Sequence, residues 1–219
     1  MNMNFDQARF NMVEQQIRPW EVLDNKVLSL LESIHREDFV PVRYRKLAFA
    51  DIAIPLNCSQ FMMRPKIEAR MLQALDLKED ETVLEIGTGS GFITACLAAL
   101  AKRVVSVELF EDLHREAAAR LADKNVNNAE LFVGDVMGGW QPEQAHDVVV
   151  VTGSVHEIPE QFLGWVNPGG RMFVIRGESP AMEALLLTRQ DVTEWAVESL
   201  FETDLPALVN ASREPEFKF

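Results

Sequence analysis

The sequence predicts an α/β fold in which helices cover both faces of a mostly parallel, twisted sheet. From Glu81 onward, short apolar segments typical of buried strands alternate with segments of helical periodicity. Such alternation builds right-handed βαβ units, and therefore a parallel sheet. The first of these strands also leads directly into a glycine-rich turn and a helix. The residues before it are helical or irregular, which predicts an α-rich N-terminal extension.

Five strands are predicted in the alternating part, at residues 82–86, 103–107, 131–133, 147–151 and 171–175. Helices are predicted from the glycine turn to Leu100 and at residues 111–123 and 159–165. Residues 168–170, Pro-Gly-Gly, predict a tight turn before the fifth strand. Residues 194–201 alternate in the β manner, so we expect an antiparallel edge strand there.

The N-terminal part is predicted to contain two helices. Phe10, Val13 and Ile17 are spaced for one face of the first. Asp24 is a good N-cap for the second, which carries an apolar stripe at Val27, Leu30, Leu31 and Ile34. Residues 39–64 are irregular but too apolar for disorder, and Pro65 suits the first turn of another helix. We therefore expect residues 1–64 to form an extension that covers the active site, and residues 65–219 to form the core domain.

Composition restricts the class of protein. The chain has 219 residues and a net charge of −13, which argues against a nucleic-acid partner because phosphate binding needs clustered Lys and Arg. No apolar run is long enough for a membrane helix, and the first residues lack the pattern of a secretory signal. The two cysteines, Cys58 and Cys96, show no metal-ligand spacing and no disulfide framework. We therefore expect a cytoplasmic protein without a metal; the oligomeric state is left open.

The glycine-rich turn is the strongest local signal. A strand that enters such a turn and leaves as a helix brings backbone N–H groups against a ligand. Gly87, Gly89 and Gly91 give the spacing G-x-G-x-G, whereas a dinucleotide fingerprint needs glycine at position 92, which is Phe92. The spacing is similar to the first motif of class I methyltransferases. The alternative is a turn that serves only strand–helix packing.

Two acidic residues lie where a ligand over the carboxyl ends of the strands would meet them. Glu108 ends the second strand, where a carboxylate can accept both ribose hydroxyl protons. Asp135 follows the third strand, at the position of an adenine amino group. Either residue alone is typical of a helix cap or a solvated loop, but their register with the glycine turn favours binding.

Over residues 11–208 the chain resembles the protein-L-isoaspartate (D-aspartate) O-methyltransferases. The matching segments are Arg36-Glu-Asp-Phe-Val-Pro41, Ala53-Ile-Pro55, Ala69-Arg-Met71, residues 83–91, Val105-Ser-Val-Glu108, Gly134-Asp135, Gly139-Trp140, residues 147–152 and Ile158-Pro159. The resemblance implies a Rossmann-like class I methyltransferase that uses S-adenosyl-L-methionine. Its acceptor would be the free carboxylate of isoaspartyl residues in a protein or peptide. The cofactor-binding residues are expected to be Glu85, Gly87, Thr88, Gly89, Gly91, Glu108, Leu109, Asp135, Val136 and Thr152.

The chain departs from the family pattern at the acceptor. The family carries a Thr-Ile-Ser-x-Pro type sequence there, and an ungapped alignment places Phe61 on the threonine and Met63 on the serine. Met63 and Arg64 therefore occupy the expected catalytic positions, and Ser59 reaches the motif only with an insertion. The family's alanine pair after Thr152 is also replaced, by Gly153-Ser154.

A carboxylate acceptor is ionised at pH 7 and needs no general base, and no His or Cys in the sequence is placed as one. His156 lies near the expected site, where a single loop histidine is more often structural. We hypothesise weak isoaspartyl activity and a more apolar acceptor, either a small molecule or another protein, beside Phe61, Met62 and Met63. Two alternatives are core packing of these side chains with activity retained, and a cofactor-binding relative without catalysis. A dehydrogenase is opposed by Phe92.

Overall fold

The structure is a computed structural model and describes residues 3–211. Its α-helices are α1 (Phe5–Met12), α2 (Asn25–Ser33), α3 (Pro65–Leu75), α4 (Phe92–Leu100), α5 (Glu111–Asp123) and α6 (Glu160–Gly164). Its strands are β1 (Ile54–Pro55), β2 (Phe61–Met62), β3 (Thr82–Ile86), β4 (Arg103–Glu108), β5 (Ala129–Val133), β6 (His146–Val155), β7 (Val166–Glu178), β8 (Ala181–Arg189) and β9 (Trp195–Thr203).

The seven strands of the main sheet have the order β5-β4-β3-β6-β7-β8-β9. In this spatial order, the first five strands are parallel to one another, and β8 runs antiparallel to both of its neighbours. Successive residues of β3 point into different cores, because Val83 packs with α3, α4 and α5 while Leu84 packs with Phe162 of α6. This confirms the predicted α/β class with a mostly parallel sheet covered on both faces.

One prediction at the end of the sheet needs correction. Residues 168–170 do not form a separate tight turn; they belong to β7, which begins at Val166 and pairs with β6 through a register shift. Gly170 makes this possible, since a Cβ there would lie 2.5 Å from the carbonyl oxygen of Asp147. The predicted antiparallel edge strand is confirmed as β9, but its neighbour β8 was not predicted.

The first helix also differs from the prediction. Phe10 is 52% exposed, whereas Val13 and Ile17 are buried. The reason is a π-helical segment, Val13–Ile17, which follows α1 and shifts the helical phase. The second helix is confirmed, and the Asp24 side chain accepts a hydrogen bond from the Lys26 N–H at 2.7 Å.

The irregular segment before Pro65 is ordered and lies over the core, as expected. It contains a 3₁₀ segment, Val42–Leu47, and the hairpin of β1 with β2, and another 3₁₀ segment, Arg36–Asp38, comes directly before it. Its apolar side chains join the same hydrophobic core as helices α3 and α4. The division of the chain at residue 64 stays a prediction; its outer ends, residues 1–2 and 212–219, lie outside the described residues.

Within residues 3–211, no helix is both long enough and apolar enough to cross a lipid bilayer.

Candidate active site

The site lies at the point where the strand order reverses. From the central strand β3 the chain proceeds outward to β4 and β5, then returns to β6 on the other side. The segments that follow β3 and β6 therefore diverge, and a crevice opens over the carboxyl ends of the two strands. We call this crevice the main cleft. It is open to solvent.

The glycine turn forms the floor of the main cleft. Gly87 has φ +96°, and a Cβ there would lie 2.4 Å from Oγ1 of Thr152. The Thr152 hydroxyl lies 2.6 Å from the carbonyl oxygen of Gly87 and 2.9 Å from that of Ile86. Only glycine allows β6 to approach the turn this closely. Gly89, with φ +54°, continues the turn along the cleft.

Glu108 at the end of β4 is directed at the turn. One carboxylate oxygen accepts a hydrogen bond from the Gly89 N–H at 2.8 Å, and the other from the Phe110 N–H at 3.1 Å. The side chain is buried but lines the main cleft. Because each carboxylate oxygen has two acceptor sites, Glu108 can position the turn and still accept hydrogen bonds from a ligand.

Asp135, which follows the neighbouring strand β5, also lines the main cleft. Its Oδ1 accepts from the Met137 N–H at 2.9 Å, and its Oδ2 accepts from the Asn210 side-chain amide at 2.8 Å. Leu109, Val136 and Thr152 line the same cleft, so the structure brings these predicted residues together with the turn.

Three predicted cofactor residues lie elsewhere. Gly91 does not line the cleft; it begins helix α4, and a Cβ there would lie 3.2 Å from the Cβ of Ala117. Glycine is needed at this position so that the start of α4 can pack against α5. Thr88 faces a neighbouring cavity, and its hydroxyl lies 2.6 Å from that of Ser106. The third residue, Glu85, lies beneath the turn.

Glu85 is completely buried under helix α4 and lines neither cavity. Its Oε2 accepts hydrogen bonds from the hydroxyls of Thr94 at 2.5 Å and Ser106 at 2.6 Å, while its Oε1 has no partner. Burial raises the pKa of this carboxyl to about 8, the two hydroxyls oppose the rise, and the charge of Glu108 adds to it. Glu85 is therefore placed to support the turn from below rather than to line the cleft.

A second, smaller space, which we call the inner cavity, adjoins the turn. Met63 is almost fully buried and lines it together with Glu68. The guanidinium of Arg36 donates to the Met63 carbonyl at 2.6 Å, which holds this part of the chain in place. Burial raises the pKa of the Glu68 carboxyl, and the charge of Arg36 opposes the rise. The residue expected to act at the acceptor is thus an apolar side chain on a rigid support.

A third space, the outer groove, lies on the far side of the hairpin. Arg64 is exposed and lines this groove instead of the inner cavity. His156 lies there too, with its Nδ1 3.1 Å from the Glu178 carboxylate. Phe61 is 46% exposed and lines the main cleft, the inner cavity and the outer groove. Ser59 is exposed at the tip of the hairpin and lines none of them.

One wall of the main cleft was not predicted from the sequence. Residues 205–209, which follow β9, cross over the end of β6 and line the cleft. Leu56 and Gln60 of the hairpin were also missed. The local sequence signal in this segment is Pro206, which indicates that a strand ends. It does not indicate which part of the fold the chain contacts afterwards.

A mostly parallel sheet, a G-x-G-x-G turn at its switch point and acidic side chains after the next two strands define a Rossmann-like class I methyltransferase. Comparison with known proteins gives the family: residues 7–204 match the family model of protein-L-isoaspartate (D-aspartate) O-methyltransferase. The chain belongs to this family.

Individual relatives agree with the family model over most of the chain. A protein-L-isoaspartate O-methyltransferase of Methanoculleus marisnigri is 37% identical over 183 residues, 84% of this chain and 83% of that protein. A second relative, from Pelobacter propionicus, is 34% identical over 209 residues, 95% and 93% of the two chains. A Plasmodium falciparum structure described as this enzyme in complex with S-adenosyl-L-homocysteine is 17% identical. It superposes with a TM-score of 0.81 over 95% of this chain and all of that one, which shows the shared fold.

Proposed function

We propose that this protein transfers a methyl group from S-adenosyl-L-methionine to the carboxylate of isoaspartyl residues in proteins or peptides. Membership of the family supports the reaction. The observation that carries the proposal is the joining of the glycine turn, Glu108 and Asp135 in one cleft. The cleft offers two carboxylates at the carboxyl ends of neighbouring parallel strands, which suits a ligand with both ribose hydroxyls and an adenine amino group.

The residues of the main cleft fit this cofactor. Gly87 and Gly89 line the cleft with backbone atoms alone, Glu108 presents acceptors for the ribose hydroxyls, and Asp135 presents acceptors for the adenine amino group. Leu109 and Val136 supply apolar contacts. When bound, the cofactor supplies a sulfonium whose methyl group is open to displacement by a nucleophile.

The protein's own part in such a transfer is positioning and exclusion of water. The inner cavity adjoins the turn and carries the apolar side chains of Met62 and Met63, so an acceptor entering it leaves water behind. An acceptor carboxylate arrives already ionised, with a reference pKa of about 3.9. No side chain therefore has to remove a proton, which agrees with the position of His156 in the outer groove.

A second candidate is methyl transfer to a more apolar acceptor. It is favoured by Phe61 and Met63, which stand at the positions of the family's threonine and serine. Phe61 is a half-exposed ring at the junction of all three spaces, and Met63 lines the inner cavity. Loss of a hydroxyl that binds a carboxylate costs about 1–3 kcal/mol, which corresponds to a roughly tenfold to hundredfold lower rate. Core packing by Met62 and Met63 is the competing explanation.

We propose a cytoplasmic location and a protein, peptide or small-molecule acceptor, without nucleic acid. The net charge of −13 disfavours a polyanionic partner. Both cysteines are free, and Cys58 is exposed while Cys96 is buried, which suits a reducing compartment.

The test is incubation of the purified protein with methyl-labelled S-adenosyl-L-methionine and an isoaspartyl peptide, with the aspartyl isomer as control. Label in the isoaspartyl peptide alone is the expected result. Cofactor binding without any labelled peptide would contradict isoaspartyl transfer and favour the apolar acceptor or a non-catalytic relative. Absence of cofactor binding would contradict the methyltransferase assignment itself.

A further inference from the structure

The C-terminal segment of the described chain forms one wall of the main cleft. Residues 205–209 line the cleft, and Asn210 follows them. We call residues 205–210 the strap. The strap crosses the end of β6 through a parallel bridge between Ser154 and Ala207, so it is held by the same strand that carries Thr152 to the glycine turn.

Ser154 holds one end of the strap with three hydrogen bonds. Its hydroxyl donates to the Leu205 carbonyl at 2.8 Å, and its N–H donates to the Pro206 carbonyl at 3.0 Å. Its carbonyl accepts from the Leu208 N–H at 2.8 Å. Ser154 is completely buried, and Leu205 is 5% exposed. Because this end is buried and fully hydrogen-bonded, it is a fixed anchor.

Gly153 allows the strap to lie close to β6. A Cβ at position 153 would lie 2.6 Å from Cδ2 of Leu208 and 3.3 Å from its backbone nitrogen. The pair Gly153-Ser154 thus has a structural reason: the glycine leaves room for Leu208, and the serine hydroxyl binds the strap. An alanine pair would supply neither the space nor the hydroxyl.

The other end of the strap is held differently. The Asn210 side-chain amide donates at 2.8 Å to Oδ2 of Asp135, a residue that lines the main cleft. Both Val209 and Asn210 are exposed. A single exposed side-chain hydrogen bond is much easier to break than the anchor at Ser154. The strap therefore has a fixed end and a releasable end, and the releasable end is attached to a residue of the cleft.

We propose that Ser154 and Asn210 are positioning residues for the cofactor, and that the strap controls how fast the cofactor exchanges. This inference rests on the proposed function, because it takes the main cleft to hold S-adenosyl-L-methionine and its product. Release of Asn210 from Asp135 opens the cleft, and re-formation of the bond closes the strap over the ligand. The anchor at Ser154 keeps the strap in register between openings.

The experiment measures exchange of S-adenosyl-L-homocysteine by rapid mixing, in the wild type and in Asn210→Ala and Ser154→Ala. An open strap speeds both entry and exit, so Asn210→Ala should raise the association and dissociation rates together, each about fivefold to tenfold, with a smaller change in Kd. Asn210 is exposed, so this variant is expected to fold. Asn167→Ala is the matched control, since Asn167 donates to Asp147 in the same way, at 3.0 Å, at the other end of the strands.

Hydrogen exchange in the ligand-free protein gives a second readout. The Leu208 amide, which donates to Ser154, should exchange faster in Ser154→Ala and in Asn210→Ala than in the wild type and in Asn167→Ala. Binding with wild-type rates in both strap variants would overturn the role of the strap alone. Failure of the wild type to bind S-adenosyl-L-homocysteine would overturn both this inference and the proposed function.

Discussion

The guanidinium of Arg36 and the carboxylate of Glu68 form a bidentate ion pair that is almost completely buried. Nε lies 2.9 Å from Oε2 and Nη2 lies 3.1 Å from Oε1, and both side chains are 1% exposed. The remaining donors of Arg36 reach the carbonyl oxygens of Ala48 and Met63. One side chain from the segment before β1 thus connects helix α3 to the wall of the inner cavity.

We expect Arg36→Met to lower the free energy of unfolding by about 3–5 kcal/mol, because it leaves a buried carboxylate without a partner. Urea denaturation measures this. The double variant Arg36→Met with Glu68→Met should recover part of the loss. Arg103→Met is the control: it breaks a pair that is 44% and 55% exposed, for which about 1 kcal/mol or less is expected. Equal losses at the two sites would contradict a structural role for the buried pair.

Restoring a hydroxyl at the acceptor position is expected to increase isoaspartyl activity. Met63→Ser should raise kcat/KM for an isoaspartyl peptide about tenfold to hundredfold over Met63→Ala, from the recovered hydrogen bond. Alanine is the matched control, because Met63 is 4% exposed and both changes leave a similar cavity. If the two variants have the same kcat/KM, the loss of the hydroxyl is not what limits isoaspartyl transfer.

Glu85 is expected to make stability depend on pH. Its pKa is raised from 4.5 to about 8 in the folded protein, so the folded state holds a proton that the unfolded state releases. The contribution to stability is full below pH 4.5 and is lost as the pH rises through about 8. Glu85→Gln mimics the protonated acid and should remove this dependence.

Thermal or urea unfolding at pH 5, 7 and 9 compares the two proteins. Across this range, the free energy of unfolding of the wild type should fall by on the order of a few kcal/mol relative to that of Glu85→Gln. Parallel curves for the two proteins would mean that Glu85 is already ionised at pH 5.

Gly87→Ala is expected to weaken cofactor binding at least tenfold and also to lower the stability of the protein. The position has φ +96°, and the new Cβ would lie 2.4 Å from Oγ1 of Thr152, so the turn must move. Gly169→Ala is the control, because Gly169 has φ +80° with nothing within 4 Å of a Cβ. Both variants should lose about 1–3 kcal/mol of stability to backbone strain, but only Gly87→Ala should change the Kd measured by titration. An equal effect on Kd would show that the contact with Thr152 does not matter for binding.

Much of the fold was predictable because its signals are local. Strands β3, β4 and β6 are apolar runs, and the turn at Gly87–Gly91 is marked by the spacing of its glycines. Both kinds of signal come from residues that are close together in the sequence. Strand β8 was missed because its sequence, Ala-Met-Glu-Ala-Leu-Leu-Leu-Thr-Arg, favours a helix by composition. Pairing with β7 and β9 on both sides overrides that preference.

The residues of the site were likewise predictable only in part. Gly87, Gly89, Glu108 and Asp135 were placed from sequence alone, because each follows a parallel strand and the carboxyl ends of such strands meet. Glu85 and Gly91 have the right spacing, yet the structure directs one beneath helix α4 and the other toward α5. Spacing along the chain fixes where a backbone lies, but the direction of a side chain depends on what packs against it.

The sequence by itself determined the fold class, the glycine turn and the two carboxylates of the main cleft, since these follow from periodicity and from residues close together in the chain. Only the tertiary structure decided that Arg36 supports Met63, and that residues 205–210 return from β9 to Ser154 and Asp135. These contacts join residues far apart in the sequence. The contacts of Arg36 and Ser154 form because burial leaves each donor and carbonyl in need of a partner, wherever along the chain that partner lies.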